Sequence, residues 1–295
     1  RAFFPFGYLT AGLLKVEWGK GDGTHVIDPL NPLVQSGAVQ TDIFEMKKAE
    51  VMTLMSLYLG ETGLLELVYK PFFHPLQFAR EGRWNLGLPG TTSTDTNNLE
   101  YSQAAARLTG SLGFFDLGAL FYYGFMSEPG FEFTTTFTGT NPIDPTHYTT
   151  TINEALTRAQ LFGLEGVLAA GPLTIRTELG YWLTEDTAAD APELYNDRFV
   201  YLGGVDMMIP RTSIFLSFQV TGAYVFDYLD LSEADVDRLA SFDNTANSTM
   251  MIGALDIPFA NDKMKLRLSG IYHIQGKGYM IIPEYKWSIR DDLEL

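Results

Sequence analysis

The stretch LTIRTELGYWLT, residues 173–184, decides the fold because its apolar and polar side chains alternate one by one. In an extended chain, Ile175 and Leu179 fall on one face. Arg176 and Glu178 fall on the opposite face. Alternation at period 2 is typical of a strand with one apolar and one polar side. The stretch therefore predicts a β-strand that separates an apolar environment from an aqueous one.

Segments of the same kind recur along the whole chain, for example at residues 212–225 and 264–274. Alternating segments of about ten residues, joined in turn by short and long connections, are typical of outer-membrane barrels with short periplasmic turns and long outer loops. The long polar connections lie near 19–46, 73–98, 127–153, 185–195 and 227–247. The predicted strands are 6–18, 47–59, 63–72, 99–109, 116–126, 154–168, 173–184, 196–209, 212–226, 248–258, 263–274 and 279–290.

Composition narrows the class of protein. The 295 residues contain no linker-like segment, so residues 1–295 are predicted to form one domain. No apolar run approaches the roughly 18 residues that a membrane helix needs. The absence of cysteine excludes disulfides and thiolate metal sites. The formal charge of −16 argues against a nucleic-acid partner, whose phosphates would be repelled.

A soluble β-sandwich also has alternating strands, but it seldom places aromatic residues on the apolar face near strand ends. Residues that fit such an interfacial girdle are Tyr8, Trp18, Tyr69, Tyr181, Tyr201, Tyr224, Tyr285 and Trp287. The predicted fold is therefore an all-β, transmembrane, antiparallel up-and-down β-barrel in the cell outer membrane. Its expected partners are outer-membrane lipid and lipopolysaccharide, with a periplasmic or surface protein as a further partner.

About twelve strands are visible, and barrels of this kind have an even strand count. Residues 293–295 read as the start of one more upward strand. We therefore expect one more C-terminal hairpin in the full protein, which gives about fourteen strands, or sixteen if N-terminal strands are missing from this sequence too.

The first long connection resembles a loop in a largely uncharacterised family of outer-membrane barrels similar to the alginate-export-type porins. The resemblance is carried by KVEWGKGDG at 15–23 and IDPLNPL at 27–33, with a second match in 106–110, 116–118 and 122–124. It implies an outer-membrane location and a transport or channel function. It supplies no catalytic residues.

Charged side chains are assigned to the lumen-facing side of each strand, because a charge that faces lipid costs a few kcal/mol at mid-depth. Basic residues outnumber acids in this assignment, which predicts a mildly basic lumen. The charges either pair across neighbouring strands or form a lining that favours anions. The predicted lumen-lining residues are Lys15, Glu17, Lys48, Glu50, Glu66, Lys70, Arg107, Arg158, Arg176, Glu178, Arg198, Asp206, Asp256, Lys265, Arg267, His273, Glu284, Lys286 and Arg290.

Glu165 does not follow the alternation of predicted strand 154–168, which suggests a bulge near residues 162–163 or a position of Glu165 at the barrel rim. The apolar residues of 24–34 are too many for a solvated loop. We expect this loop to fold back into the barrel mouth as a constriction, or alternatively to pack on a partner.

The long connection near 227–247, which we call the second acidic loop, contains a predicted helical turn at 233–238, capped by Ser232. Asp227, Asp230, Asp235 and Asp237 are weak candidates for a metal site, but their spacing matches no EF-hand, so no metal is predicted. No hydrolase, phosphate-loop or zinc motif accompanies the four histidines, so no catalysis and no cofactor are predicted.

Two functions stay open at this point. The first is an outer-membrane channel or facilitator for solutes, with a mildly basic lumen that favours anions. The second is a structural barrel that scaffolds a surface or periplasm-spanning protein assembly.

Overall fold

The computed structural model of the protein describes residues 1–34, 46–77, 91–139, 147–261, 263–290 and 293–294. These residues form seventeen strands. In chain order, the strands are β1 Ala2–Phe4, β2 Gly7–Leu14, β3 Glu50–Leu59, β4 Gly63–Lys70, β5 Thr91–Thr92, β6 Gln103–Leu112, β7 Phe115–Phe125, β8 Gly130–Phe137, β9 Tyr148–Ala155, β10 Arg158–Ala170, β11 Leu173–Thr184, β12 Arg198–Met208, β13 Phe215–Val225, β14 Asn247–Phe259, β15 Met264–His273, β16 Gly278–Arg290 and β17 Leu293–Glu294.

One sheet contains fourteen of these strands, in the order β1, β2, β3, β4, β6, β7 and β10 through β17. Each strand pairs antiparallel with the next strand of that sheet along the chain. Within the described residues, β1 pairs with β2 and β17 pairs with β16, so these two short strands form the edges. The remaining strands form a small sheet in the order β5, β9, β8. Strand β5 belongs to the connection between β4 and β6, whereas β8 and β9 belong to the connection between β7 and β10. The predicted all-β up-and-down topology is confirmed.

The two faces of the large sheet differ in chemistry. Directly paired residues of antiparallel strands point to the same side, so the registers assign every position to a face. On β11, the side of Glu178 is the inner face, where that residue is fully buried. The next residue, Leu179, is 39% exposed on the outer face. Other exposed apolar residues of the outer face are Leu67, Tyr69, Leu108, Phe162, Leu164, Phe218, Leu266, Leu268, Ile281 and Tyr285.

This distribution is the reverse of a soluble sandwich, which buries its apolar face. A wall with large apolar groups outside and polar groups inside is stable when lipid covers the outside. Among the described residues, no helix combines the length and the apolar character needed to cross a membrane.

The connections fall into two classes, as the sequence predicts. Short turns join β3 to β4, β6 to β7, β10 to β11, β12 to β13 and β14 to β15 at one end of the sheet. The connections after β2, β4, β7, β11 and β13 are long and lie at the other end. The connection from β15 to β16, residues 274–277, is short although it belongs to the long-loop end.

Three local expectations are wrong. Strand β2 ends at Leu14 rather than at residue 18. Trp18 is fully buried, and Tyr8 pairs with the buried Ser56 on the inner face, so neither belongs to an outer girdle. Strand β10 pairs with β11 without a shift across residues 162–163, so there is no bulge, and Glu165 lies buried on the inner face.

Candidate functional site

After β2, residues 15–34 leave the sheet and pack against its inner face. We call residues 15–34 the inserted segment. At its start, strands β2 and β3 separate, and the Asn31 side chain forms hydrogen bonds with the backbone groups that no longer pair between the two strands. The Asn31 side-chain amide donates to the carbonyls of Leu14 at 3.0 Å and Lys48 at 2.8 Å, and its Oδ1 accepts from the Val16 N–H at 2.8 Å. One buried amide therefore satisfies three backbone groups and fixes the entry of the segment.

Apolar side chains of the inserted segment pack on the inner face. Trp18, Ile27 and Leu30 are fully buried. They share one cluster with inner-face residues from β3 to β12, namely Met52, Val68, Ala105, Leu120, Tyr122, Ala159, Leu161, Trp182 and Val200. The segment is therefore held by apolar contact and is not a solvated loop, as its excess of apolar residues predicted.

The carboxylate of Glu178 is the main polar anchor of the segment. It accepts from the backbone N–H groups of Lys20 and Gly21 on Oε1 and of Val26 on Oε2. Nδ1 of His25 lies 3.0 Å from Oε1. Hydrogen bonds to a charged acceptor are stronger than neutral ones, and this acceptor is shielded from water. A single side chain of β11 thus orders residues 20–26.

Two glycines allow this close approach. A Cβ atom on Gly19, whose φ is +100°, would lie 2.5 Å from the Glu178 carboxylate. A Cβ atom on Gly21 would lie 2.0 Å from the Thr24 carbonyl oxygen. The turn over Glu178 therefore requires the glycine pattern that the sequence shows at these positions.

Further contacts hold the segment across the sheet. Gln219 on β13 accepts from the Asp22 N–H at 2.8 Å and donates to the Asp22 carbonyl. Lys70 on β4 donates to the Leu30 carbonyl at 2.6 Å. Since β4 and β13 stand far apart in the strand order, the segment spans much of the inner face.

Most inner-face charges lie within ion pairs. Arg107 contacts Glu165 at 2.6 Å and Glu66 at 3.3 Å, so it neutralises acids from two other strands. Further ion pairs that involve inner-face residues include Arg176 with Asp206, Arg198 with Asp237, Lys265 with Asp256, Arg267 with Asp256, and Lys286 with Glu284. The structure therefore shows the pairing that was one of the two alternatives for these charges.

The inner face of β14–β16 is more open than the rest. The side chains of Lys265, Arg267 and Lys286 are 42%, 36% and 57% exposed. Their acidic partners are Asp256, at 12%, and Glu284, at 38%. The groups that water reaches most easily on this part of the wall are thus mainly cationic.

Arg158 departs from the predicted arrangement. It lies on the same, outer face of β10 as Phe162 and Leu164. Its guanidinium donates to the Tyr123 hydroxyl at 3.3 Å and lies over the rings of Tyr123 and Phe125. This is the first residue of β10, at the long-loop end, where a charge does not meet mid-depth lipid.

The remaining predicted residues occupy several environments. Glu50 is buried and contacts His74 at 2.7 Å. His273 lies on the inner face and contacts the Ser248 hydroxyl at 3.0 Å. Lys15 and Lys48 are half-buried beside the ends of β2 and β3, and Glu17 contacts His25. The side chain of Arg290 lies outside the described residues.

The structure also brings into the site residues that were not among the predicted lumen-lining residues. Gln219 and Gln103 are neutral, although each is buried on the inner face. Lys47 donates to Asp28 and to the Val16 carbonyl, which ties the end of the segment to the start of β3. The alternation alone already placed Gln219 on the polar side, so neutral polar residues at inward positions are the signal that could have found it.

The second acidic loop has a structural role. Helix α1, Val236–Ala240, is capped by Asp235 and not by Ser232. Asp237 accepts from the Asn196 N–H at 2.8 Å and pairs with Arg198 at 2.7 Å. Burial raises the pKa of Asp235, and the negative charge of Asp237 adds to that shift. No cluster of three potential metal-binding side chains occurs within the described ranges, and Asp227 and Asp230 lie in a turn closed by a backbone hydrogen bond.

Replacing Asn196 by alanine is expected to destabilise this loop. The Asn196 amide donates to Asp237 and to both carboxylate oxygens of Asp235, and its loss removes the donor to Oδ2 of the buried Asp235. We expect a loss of about 1–3 kcal/mol in the free energy of unfolding, measured by urea titration in lipid vesicles. Asp230→Asn, at an exposed position of the same loop, is the control and should change it little. Equal effects of the two changes would contradict the proposed role.

The fold and its two faces define an outer-membrane β-barrel protein. Among solved structures, the chain is similar to in-vitro folded OmpT of Vibrio cholerae, an outer membrane protein, with 10% identity over 94% of this chain and 70% of that chain and a TM-score of 0.45. It is also similar to the loop L8 deletion mutant of the same protein, with 11% identity, coverage of 95% and 76%, and a TM-score of 0.47.

A third similar structure is OccAB4 of Acinetobacter baumannii, with 11% identity over 80% of this chain and 63% of that chain and a TM-score of 0.35. No family model and no curated protein matches the chain. Resemblances at these TM-scores indicate nothing about function.

Proposed function

We propose that the protein is a channel or facilitator that lets solutes cross the outer membrane, with the inserted segment as its internal constriction. One observation carries the proposal: the segment packs against the inner face of strands from β3 to β13, whereas polar side chains on the inner face of β14–β16 stay accessible to water. A polar inner wall beside an apolar outer wall is the arrangement that a solute pathway needs.

We further propose that this pathway favours anions. Lys265, Arg267 and Lys286 are the exposed cations on its wall, and Asp256, which pairs with the first two, is mostly buried. Rings and rows of basic side chains lower the energy of an anion in a pore. The resemblance of the first loop to alginate-export-type porins supports transport and not catalysis. The proposed surroundings are outer-membrane lipid and lipopolysaccharide.

Arg267→Glu is expected to move the ion selectivity of the channel towards cations. The change replaces a half-exposed inner-face cation by an anion, while the outer face stays apolar. The measurement is the reversal potential in a planar bilayer under a salt gradient. Arg211→Glu, in an exposed turn, makes the same change of net charge and is the control. The same reversal potential in Arg267→Glu and the parent would contradict a pathway along this wall.

A structural barrel that scaffolds a surface or periplasm-spanning assembly is the second candidate. The pairing of the inner-face charges and the packing of the inserted segment against the inner face favour it. A protein that conducts no ions after the inserted segment is removed, yet still copurifies with a partner, would support this candidate and not the channel.

A further inference from the structure

His25 lies between two carboxylates at the tip of the inserted segment. Its Nδ1 is 3.0 Å from Glu178 Oε1, and its Nε2 is 2.9 Å from Glu17 Oε1. The His25 side chain is only 7% exposed. Both ring nitrogens therefore face carboxylate acceptors, and water has little access to replace either hydrogen bond.

This geometry depends on the proton count of the imidazole. A neutral imidazole has one N–H donor and one acceptor nitrogen, whereas the imidazolium has two donors. Ionised carboxylates only accept hydrogen bonds. Both contacts are therefore satisfied only when His25 carries its proton, and deprotonation places a lone pair against one of the two carboxylates.

The charges around His25 also favour the protonated form. Glu178 faces it from β11, and Glu17 and Asp28 face it from the segment itself. The basic groups nearby are engaged elsewhere: Lys47 pairs with Asp28, and Arg176 pairs with Asp206 and donates to the Lys20 carbonyl. Burial acts to lower the pKa of His25, but the hydrogen bond and attraction to Glu178, with the hydrogen bond to Glu17, outweigh it and leave the pKa raised.

We propose that His25 is a proton-dependent latch, which holds the tip of the inserted segment on Glu178 while it is protonated and loosens the tip when it is not. The direction follows from the raised pKa. The contribution of the latch is fully present below the usual pKa of about 6.5 and is lost as the pH rises through the raised value. In its effect on transport, this inference rests on the proposed channel function, since a loosened segment widens the pathway.

The latch can be tested without measuring transport. The chain has no cysteine, so a single introduced thiol is a clean probe. Ile27→Cys places it at a fully buried position of the segment, and Leu229→Cys places it at an 86% exposed loop position. The ratio of their maleimide labelling rates removes the pH dependence that the two thiols share, and the His25 variants below reveal any difference between the two thiols that remains. Labelling is measured from pH 6 to pH 10 in folded protein in vesicles.

We expect this ratio to rise several-fold as the pH increases, because a group whose pKa is raised in the folded protein loses the stability linked to its proton as the pH passes through the raised value. His25→Asn and His25→Arg cannot titrate in this range, and their ratios should stay flat. His273→Asn is the control, because His273 contacts a hydroxyl and a backbone N–H rather than a carboxylate. It should keep the rise.

A parent ratio that stays flat, or a rise that persists in both His25 variants, would overturn the latch. A labelling ratio that rises with pH while the protein conducts no ions at any pH supports the latch and refutes the channel. The failure of the inference and the failure of the proposed function are therefore separate outcomes.

Discussion

Glu178→Ala is expected to increase single-channel conductance several-fold in planar bilayers. The carboxylate accepts three backbone N–H groups and one imidazole from the inserted segment. Without it, each buried donor that finds no other partner costs about 1–3 kcal/mol, so residues 19–27 are expected to leave the inner face. The interior between β3 and β13 then becomes available to water and ions.

Two variants make this result specific. Glu178→Gln keeps the size of the side chain and one acceptor oxygen, so its conductance should lie between those of the parent and Glu178→Ala. Glu284→Ala removes another inner-face acid, one that pairs with Lys286 away from the segment, and it should leave the size of the conductance close to that of the parent. A folded Glu178→Ala protein with unchanged conductance would show that the segment does not restrict the pathway.

Leu268→Arg is expected to destabilise the protein in a bilayer by about 2–4 kcal/mol, because it places a charge on the lipid-facing side. Leu268 lies on the outer face of β15 and is 45% exposed. Ser269→Arg changes the next residue, which points to the inner face beside Arg267. Ser269→Arg should therefore cost much less.

The free energy of unfolding of both variants can be measured by urea titration in vesicles, with heat-modified gel mobility as a test for folding. Equal destabilisation by the two changes would mean that the assignment of the faces is wrong. Little loss in Leu268→Arg would mean that lipid does not cover this side of the sheet.

The alternation of side chains was sufficient to predict the antiparallel meander. The strands around residues 173–184 and 264–274 follow it because each of their faces meets a single environment along its whole length. The alternation fails where the environment changes. Residues 15–18 continue the pattern of β2, yet they leave the sheet because Asn31 takes over the backbone groups of Leu14 and Lys48.

The inner and outer faces of β10 were exchanged in the sequence prediction for a related reason. The predicted strand 154–168 joins the end of β9, residues 156–157 and β10 into one run. In one continuous strand, Arg158 and Glu165 lie on opposite faces, and the prediction placed Arg158 on the inner face and Glu165 outside it. The rule that charges face inward applies to charges at the depth of the lipid, whereas Arg158 begins its strand at the loop end and satisfies its guanidinium with Tyr123.

The binding of the inserted segment could be predicted only in outline. Its apolar residues require a surface, but nothing near residues 20–26 identifies Glu178, more than 150 positions further along the chain. Gln219 and its partner Asp22 are 197 positions apart in the sequence. Such contacts depend on which inner-face residues the folded inserted segment reaches. The local alternation of the sequence does not contain that information.

The most direct test of the central claim is the conductance of the protein with and without its inserted segment. Residues 19–30 are replaced by a short glycine-serine linker, and Asn31 is kept because it joins the ends of β2 and β3. The account predicts that the parent conducts ions with a preference for anions, and that the replacement conducts several-fold more while keeping the heat-modified gel mobility of a folded barrel. Equal conductance of the two folded proteins, or none in either, would contradict it.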